Sequence, residues 1–156
     1  MRESIGQVQL YNIIILFIFL VMAIMVGTLA YNRTFKVNTV ITTLIEKYEG
    51  FNVASRGEIT DALITMGYER LDGRQPRCQA TWDGQARVTP ATEESGYEHN
   101  YCIYRSEVER VGDLGYIQYT IVTFSAVDLL PYLDLGGIPT VSRTNKIWCT
   151  GGNCSL

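Results

Sequence analysis

Between Ser4 and Asn32 the chain carries no aspartate, glutamate, lysine, arginine or histidine, and Leu10 to Tyr31 is almost wholly apolar. At about 1.5 Å of rise per residue, those 22 residues make about 33 Å of helix, enough to cross a hydrocarbon core of about 30 Å. The run predicts a single transmembrane span at residues 10–31 behind a short leader at 1–9. A cleaved signal peptide is the competing reading, because Thr28-Leu29-Ala30 loosely resembles a small-x-small cleavage site. The apolar core exceeds the roughly 7–15 residues of a typical signal h-region, which favours a retained anchor.

No proline or turn cluster follows the span. Instead Val37, Val40, Ile41, Leu44, Ile45 and Tyr48 recur at the spacing of one helical face, while Lys36, Asn38, Thr39, Thr42, Thr43, Glu46 and Lys47 fill the rest. The pattern predicts that residues 32–49 are an amphipathic extension of the same helix, ending at Gly50 in a left-handed cap. The whole rod would be about 70 Å long. Many of its outer residues are β-branched and weak helix formers. The Val37/Ile41/Leu44/Tyr48 face is therefore expected to lean on a folded domain.

That domain occupies residues 50–156. Ser55-Arg56-Gly57-Glu58 reads as a capping box opening a second helix, with Ile59, Ala62, Leu63 and Met66 as its apolar stripe and Gly67 as its stop. Leu71 to Tyr97 mixes glycine, proline and charge without sustained period, and reads as a long surface segment with at most short strands around Cys78–Trp82. Three strands are expected beyond it: Tyr101–Arg105, Gly115–Val127 and Ile138–Trp148. Too few residues separate them for crossover helices, so the pairing should be antiparallel. The predicted fold class is α+β, a long N-terminal transmembrane helix extending into a small antiparallel-sheet domain.

All four cysteines, Cys78, Cys102, Cys149 and Cys154, follow the span. An even count in a small domain fits a disulfide-stapled extracytoplasmic module. Of the three connectivities open to four cysteines, Cys78–Cys102 with Cys149–Cys154 is favoured. Their spacing does not match the tight pairs of zinc sites. Counting Lys and Arg alone leaves orientation undecided, with Arg2 before the span and Arg33 and Lys36 after it. The cysteines decide for an N terminus inside and a domain outside. A formal net charge of −3 offers no basic footprint for nucleic acid.

Little else suggests chemistry. The single histidine, His99, stands beside an aromatic strand without an identifiable nucleophile or orienting partner. Glu93-Glu94, and Asp128 with Asp134, match no calcium loop and read as solvated turn acids. Phosphate-loop, dinucleotide and nucleophile-elbow motifs are absent from the sequence. No cofactor, metal or catalytic residue is expected. An exposed subset of the ten tyrosines would suit a protein contact surface.

The order of these features resembles a pilin or pseudopilin, and more narrowly the TadE-like minor pseudopilins of the Flp/Tad pilus system. The resemblance rests on Gly6-Gln7 before the span, the continuing helix from Tyr31 to Tyr48, and a late strand leading through Leu129-Leu130-Pro131 to a Gly-Gly turn and a final strand with Val141-Ser142-x-Thr144. It implies a non-enzymatic subunit contributing to assembly of a pilus or secretion apparatus. Its partners would be other pilin-like subunits or pilus assembly proteins, including copies of itself. The resemblance also implies prepilin cleavage between Gly6 and Gln7. The family's glutamate five residues past the cleavage glycine is here Tyr11. The rival reading is a bitopic protein carrying a small extracytoplasmic ligand-binding or sensory domain.

Overall fold

The structure, a computed structural model, describes residues 2–68, 78–88, 101–125 and 138–149, with side chains from Gln9 onward except those of Ser125 and Ile138. His99, the paired acids, Leu129-Leu130-Pro131, the Gly136-Gly137 turn and Cys154 lie outside the described residues.

One helix, α1, runs unbroken from Arg2 to Lys47. It contains a stretch long and apolar enough to cross a membrane, and none of that stretch is buried by the rest of the chain. A second helix, α2 (Val53–Thr65), folds back along α1. Its first turn lies near the Tyr48 carbonyl, which accepts from Asn52 Nδ2 at 3.0 Å, and its last turn lies beside Arg33. The lengths agree: α2 is about 20 Å long, and Arg33 to Tyr48 spans about 22 Å of α1.

Both helix ends differ in detail from the sequence expectation. Gly50 does not supply the left-handed cap of α1. Glu49 does, at φ 52, and Gly50 follows at φ 145. Glu49 N–H donates to the Glu46 carbonyl and Gly50 N–H to the Ile45 carbonyl, the paired bonds of a Schellman motif. Glycine is needed one position later than expected, because φ 145 is the less tolerant of the two conformations for a side chain. Helix α2 ends on the same motif with glycine in the usual place: Gly67 at φ 60 donates to Ile64, and Tyr68 to Leu63. At its start, Asn52 is the N-cap rather than Ser55. Ser55 occupies the third helical position, where its N–H donates to Asn52 Oδ1 and its Oγ accepts from Asn52 N–H. The reciprocal capping box is present, displaced by one turn because Asn52 caps as well as serine does.

Among the described residues eight strands follow: β1 (Thr81–Trp82), β2 (Gln85–Arg87), β3 (Tyr101–Arg105), β4 (Glu109–Val111), β5 (Leu114–Ile117), β6 (Tyr119–Ser125), β7 (Ile138–Arg143) and β8 (Ile147–Trp148). They form a five-stranded sheet in the order β1-β2-β3-β6-β7 and a three-stranded sheet in the order β4-β5-β8, antiparallel throughout. Two of the expected long strands are each broken in two. Gly115–Val127 divides at Gln118, and Ile138–Trp148 divides after Arg143. The breaks share one cause. Gln118 N–H donates to Ser106 Oγ at 3.0 Å, Ser106 N–H to the Gln118 carbonyl, Gln118 Nε2 to the Thr144 carbonyl, and Thr144 Oγ1 accepts from Tyr119 N–H. Side chains from three chain segments thus replace ladder bonds at one level, and the sheet curls there.

The corner keeps one core. Val37, Ile41 and Ile45 of α1, Ile59 and Leu63 of α2, and Ile103, Ile121, Ile117 and Ile147 from both sheets bury together. The other face of the larger sheet holds a smaller cluster of Cys102, Tyr104, Val122 and Phe124, against which Cys78 and Trp82 pack. The segment expected to hold at most short strands around Cys78–Trp82 supplies the hairpin β1–β2, which turns at Asp83-Gly84, both at positive φ, extends the sheet beyond β3 and brings Trp82 onto this second face.

Candidate functional site

The feature that distinguishes this chain is the junction between rod and sheet, built along three successive turns of α1. Asn38, Thr42 and Glu46 stand four residues apart, so they line one side of the helix, beside the apolar stripe of Val37, Ile41 and Ile45. Strand β7 runs alongside in the same direction. Asn38 Nδ2 donates to the Thr140 carbonyl at 2.7 Å and to Thr123 Oγ1 at 3.1 Å, with the Ile121 carbonyl at 3.3 Å, and Asn38 Oδ1 accepts from Ser142 Oγ. One turn on, Thr42 Oγ1 lies 2.6 Å from Ser142 Oγ. A further turn on, Glu46 Oε1 accepts from Asn145 N–H at 2.7 Å.

Asn38 is 1% exposed, so its amide is removed from water and both of its polar atoms are satisfied by the sheet. A buried polar group with fixed partners fits one register only, since any slip leaves donors and acceptors unpaired at about 1–3 kcal/mol each. The seam therefore locks the axial and rotational position of the domain on the rod. Of the expected packing face, Val37, Ile41 and Ile45 are buried and Val40, Leu44 and Tyr48 are half-buried. The buried stripe extends to Thr34 and Asn38: Asn38 finds its partners in the sheet, and the Thr34 hydroxyl donates back to the Ala30 carbonyl. The sequence signal for the seam was the four-residue recurrence of polar side chains next to the apolar stripe.

Arg33 is a second tie that the pattern of apolar residues does not reveal. Its guanidinium donates to the Gly67 carbonyl, with the Met66 carbonyl at 3.4 Å. These carbonyls close the C-terminal end of α2, where the helix dipole is negative and a cation is favoured. The domain thus grips α1 from Arg33 to Glu46, beginning two residues after the apolar run ends.

Cys78 and Cys102 are disulfide-bonded, as expected. Cys149 is disulfide-bonded too, with its expected partner Cys154 outside the described residues. Its backbone N–H donates to the Gly115 carbonyl at 2.9 Å, and a side chain at Gly115 would meet Cys149 Sγ at 3.1 Å. Gly6 and Gln7 fall within the first turns of α1. Among the described residues no group of three or more His, Cys, Asp or Glu side chains is placed to hold a metal.

At the far end of the domain, β4, β5 and β8 present Glu109, Val111, Leu114, Tyr116 and Trp148 on one face by their register. Tyr116 donates to the Glu109 carboxylate, Trp148 meets its ring edge-on at 5.6 Å, and Lys146 Nζ lies 4.4 Å from the ring centroid. The hydrogen bond to Glu109 raises the Tyr116 pKa above the ordinary 10.0, with burial and the Glu109 charge acting in the same direction. No protein-family model, curated protein or solved structure matches this chain.

Proposed function

We propose that this protein is a non-enzymatic, membrane-anchored structural subunit of pilin-like type, contributing to assembly of a pilus or secretion apparatus. The observation that carries the reading is the unbroken α1 with its outer half locked into the sheet by the Asn38–Thr42–Glu46 seam. A subunit that packs its rod among other rods needs such attachment, because the position of each domain must follow the position of its helix.

In this reading residues 10–31 lie in the bilayer with the N terminus in the cytoplasm, and the disulfide-bonded domain is extracytoplasmic. On assembly, contacts with neighbouring rods replace lipid around the apolar half of α1. This chain's order of features resembles that of TadE-like pseudopilins, and its partners are then pilin-like subunits, including copies of itself. The mature N terminus tests the proposal. Mass spectrometry of the membrane-extracted protein should find a chain beginning at Gln7 and disulfide crosslinks between rods bearing paired cysteines. An intact Met1 together with a strictly monomeric rod would overturn it.

A further inference from the structure

Nothing separates the apolar run from the domain, and this fixes where the domain must stand. Tyr31 is the last residue of the run, and contact with the domain starts at Arg33 and at Thr34, which is 3% exposed. The polar layer flanking a hydrocarbon core adds about 5–7.5 Å on each side, which corresponds to about three to five helical residues. Residues 32–36 therefore lie within it. So does whatever touches them.

What touches them is the C-terminal turn of α2. Arg33 reaches the Gly67 and Met66 carbonyls, and helical side chains lean toward the N-terminal end of their helix, here toward the bilayer. The α2 terminus consequently sits no higher than the Arg33 backbone. In this turn Ile64, Thr65 and Gly67 are exposed, Ile64 to 55%. On α1 at the same level, Tyr31 and Phe35 stack with ring centroids 6.4 Å apart and remain exposed, and Lys36 is exposed beside them. Aromatic side chains with flanking cations are the composition that suits the boundary between lipid and water.

We propose that the domain is seated on the bilayer: the Ile64–Gly67 turn of α2, with Tyr31, Phe35 and Lys36 of α1, forms a surface that contacts the lipid headgroup layer on the domain's side. The inference rests on the anchor reading of α1 and goes beyond it, since an anchored domain need not touch the lipid. The occupant is the phospholipid interface, with the aromatic rings at the carbonyl level and Lys36 among the phosphates. The same Arg33–Gly67 bond that closes α2 sets the height of this surface.

The test uses the full chain in phosphatidylcholine–phosphatidylglycerol nanodiscs, with a nitroxide at one of four introduced cysteines. Ile64→Cys and Thr65→Cys report the proposed seat, Leu114→Cys the distal sheet, and Phe19→Cys the middle of the apolar run. All four side chains are exposed, so labelling does not disturb the core. The expected result is a loss of collisions with a water-soluble nickel chelate at Ile64 and Thr65 relative to Leu114, and a gain of collisions with oxygen. Equal nickel access at Ile64, Thr65 and Leu114, with Phe19 deep in lipid, overturns the seat while sparing the anchor. Nickel access at Phe19 overturns both.

Discussion

Asn38 couples sequence to architecture more strongly than any other side chain in the described part of the molecule. Replacing it by leucine keeps the branching and heavy-atom count but removes the amide that Ser142 Oγ, Thr123 Oγ1 and the Ile121 and Thr140 carbonyls bond, leaving Ser142 with Thr42 and Thr123 with the Thr140 carbonyl. The expected loss of stability is about 2–4 kcal/mol, read as a shift in denaturant midpoint for the full chain in detergent. Gly50 offers a second test. At φ 145 a β-carbon is strained, and one built there would stand 3.4 Å from Tyr119 Oη. Gly50→Ala should therefore cost about 1–3 kcal/mol in the same assay. At the neighbouring left-handed position Glu49→Gly should cost less than Gly50→Ala, because glycine takes that conformation without strain. If Glu49→Gly proved the more damaging of the two, the assigned cap geometry would be wrong.

At the scale of elements, the helices were legible because their apolar period of 3.6 is local and runs through many residues. Their ends were less so, since Asn52 and Ser55 are both competent caps and only packing selects between them. The sheet was harder. Tyr101–Arg105 was readable as a strand, but the divisions at Gln118 and after Arg143 depend on Ser106 and Thr144, which are distant in sequence and meet only after folding. Strands β1 and β2, at two and three residues, are too short to show an alternation, although the Asp83-Gly84 turn between them is a recognisable hairpin signal. Two predictions belong to this scale. The Cys78–Cys102 bond spans 24 residues, so removing it as a Cys78→Ser/Cys102→Ser pair should destabilise the chain by about 3 kcal/mol, measured by thermal or denaturant unfolding. The three-stranded sheet should respond to alkali. Because the folded Tyr116 pKa is raised, its contribution is complete below about pH 10, where the phenol is protonated in both states, and is lost as pH climbs through the folded value. Burial raises Tyr104 as well, against smaller opposing effects of its contact with Gln79 and of Arg87. Melting temperature should fall above pH ~10, and Tyr116→Phe should remove one late component from the phenolate absorbance titration.

For the molecule as a whole, the decisive property is the absence of a hinge between the apolar run and the domain. Asn32 is exposed and lies just below the Arg33 tie, so a proline there tests continuity without touching the core. Asn32→Pro removes one backbone bond and clashes with the Thr28 carbonyl, at a cost of about 3 kcal/mol or more to the straight helix. The near-ultraviolet circular dichroism of the domain should survive. The distance distribution between spin labels at Leu16→Cys and Leu114→Cys, narrow in the parent, should broaden or shift. A parent distribution already as broad as the proline variant's would mean that the rod bends in solution.

A shaft without a joint also transmits torque. If a neighbour seizes α1 one residue higher or lower on its helical surface, compensation requires a rotation of about 100°, and the clamped domain must turn through the same angle. The indole of Trp148 at the distal end would then sweep to a different compass bearing. Contacts made deep in the apolar half would thereby choose which side of the tip faces the next molecule.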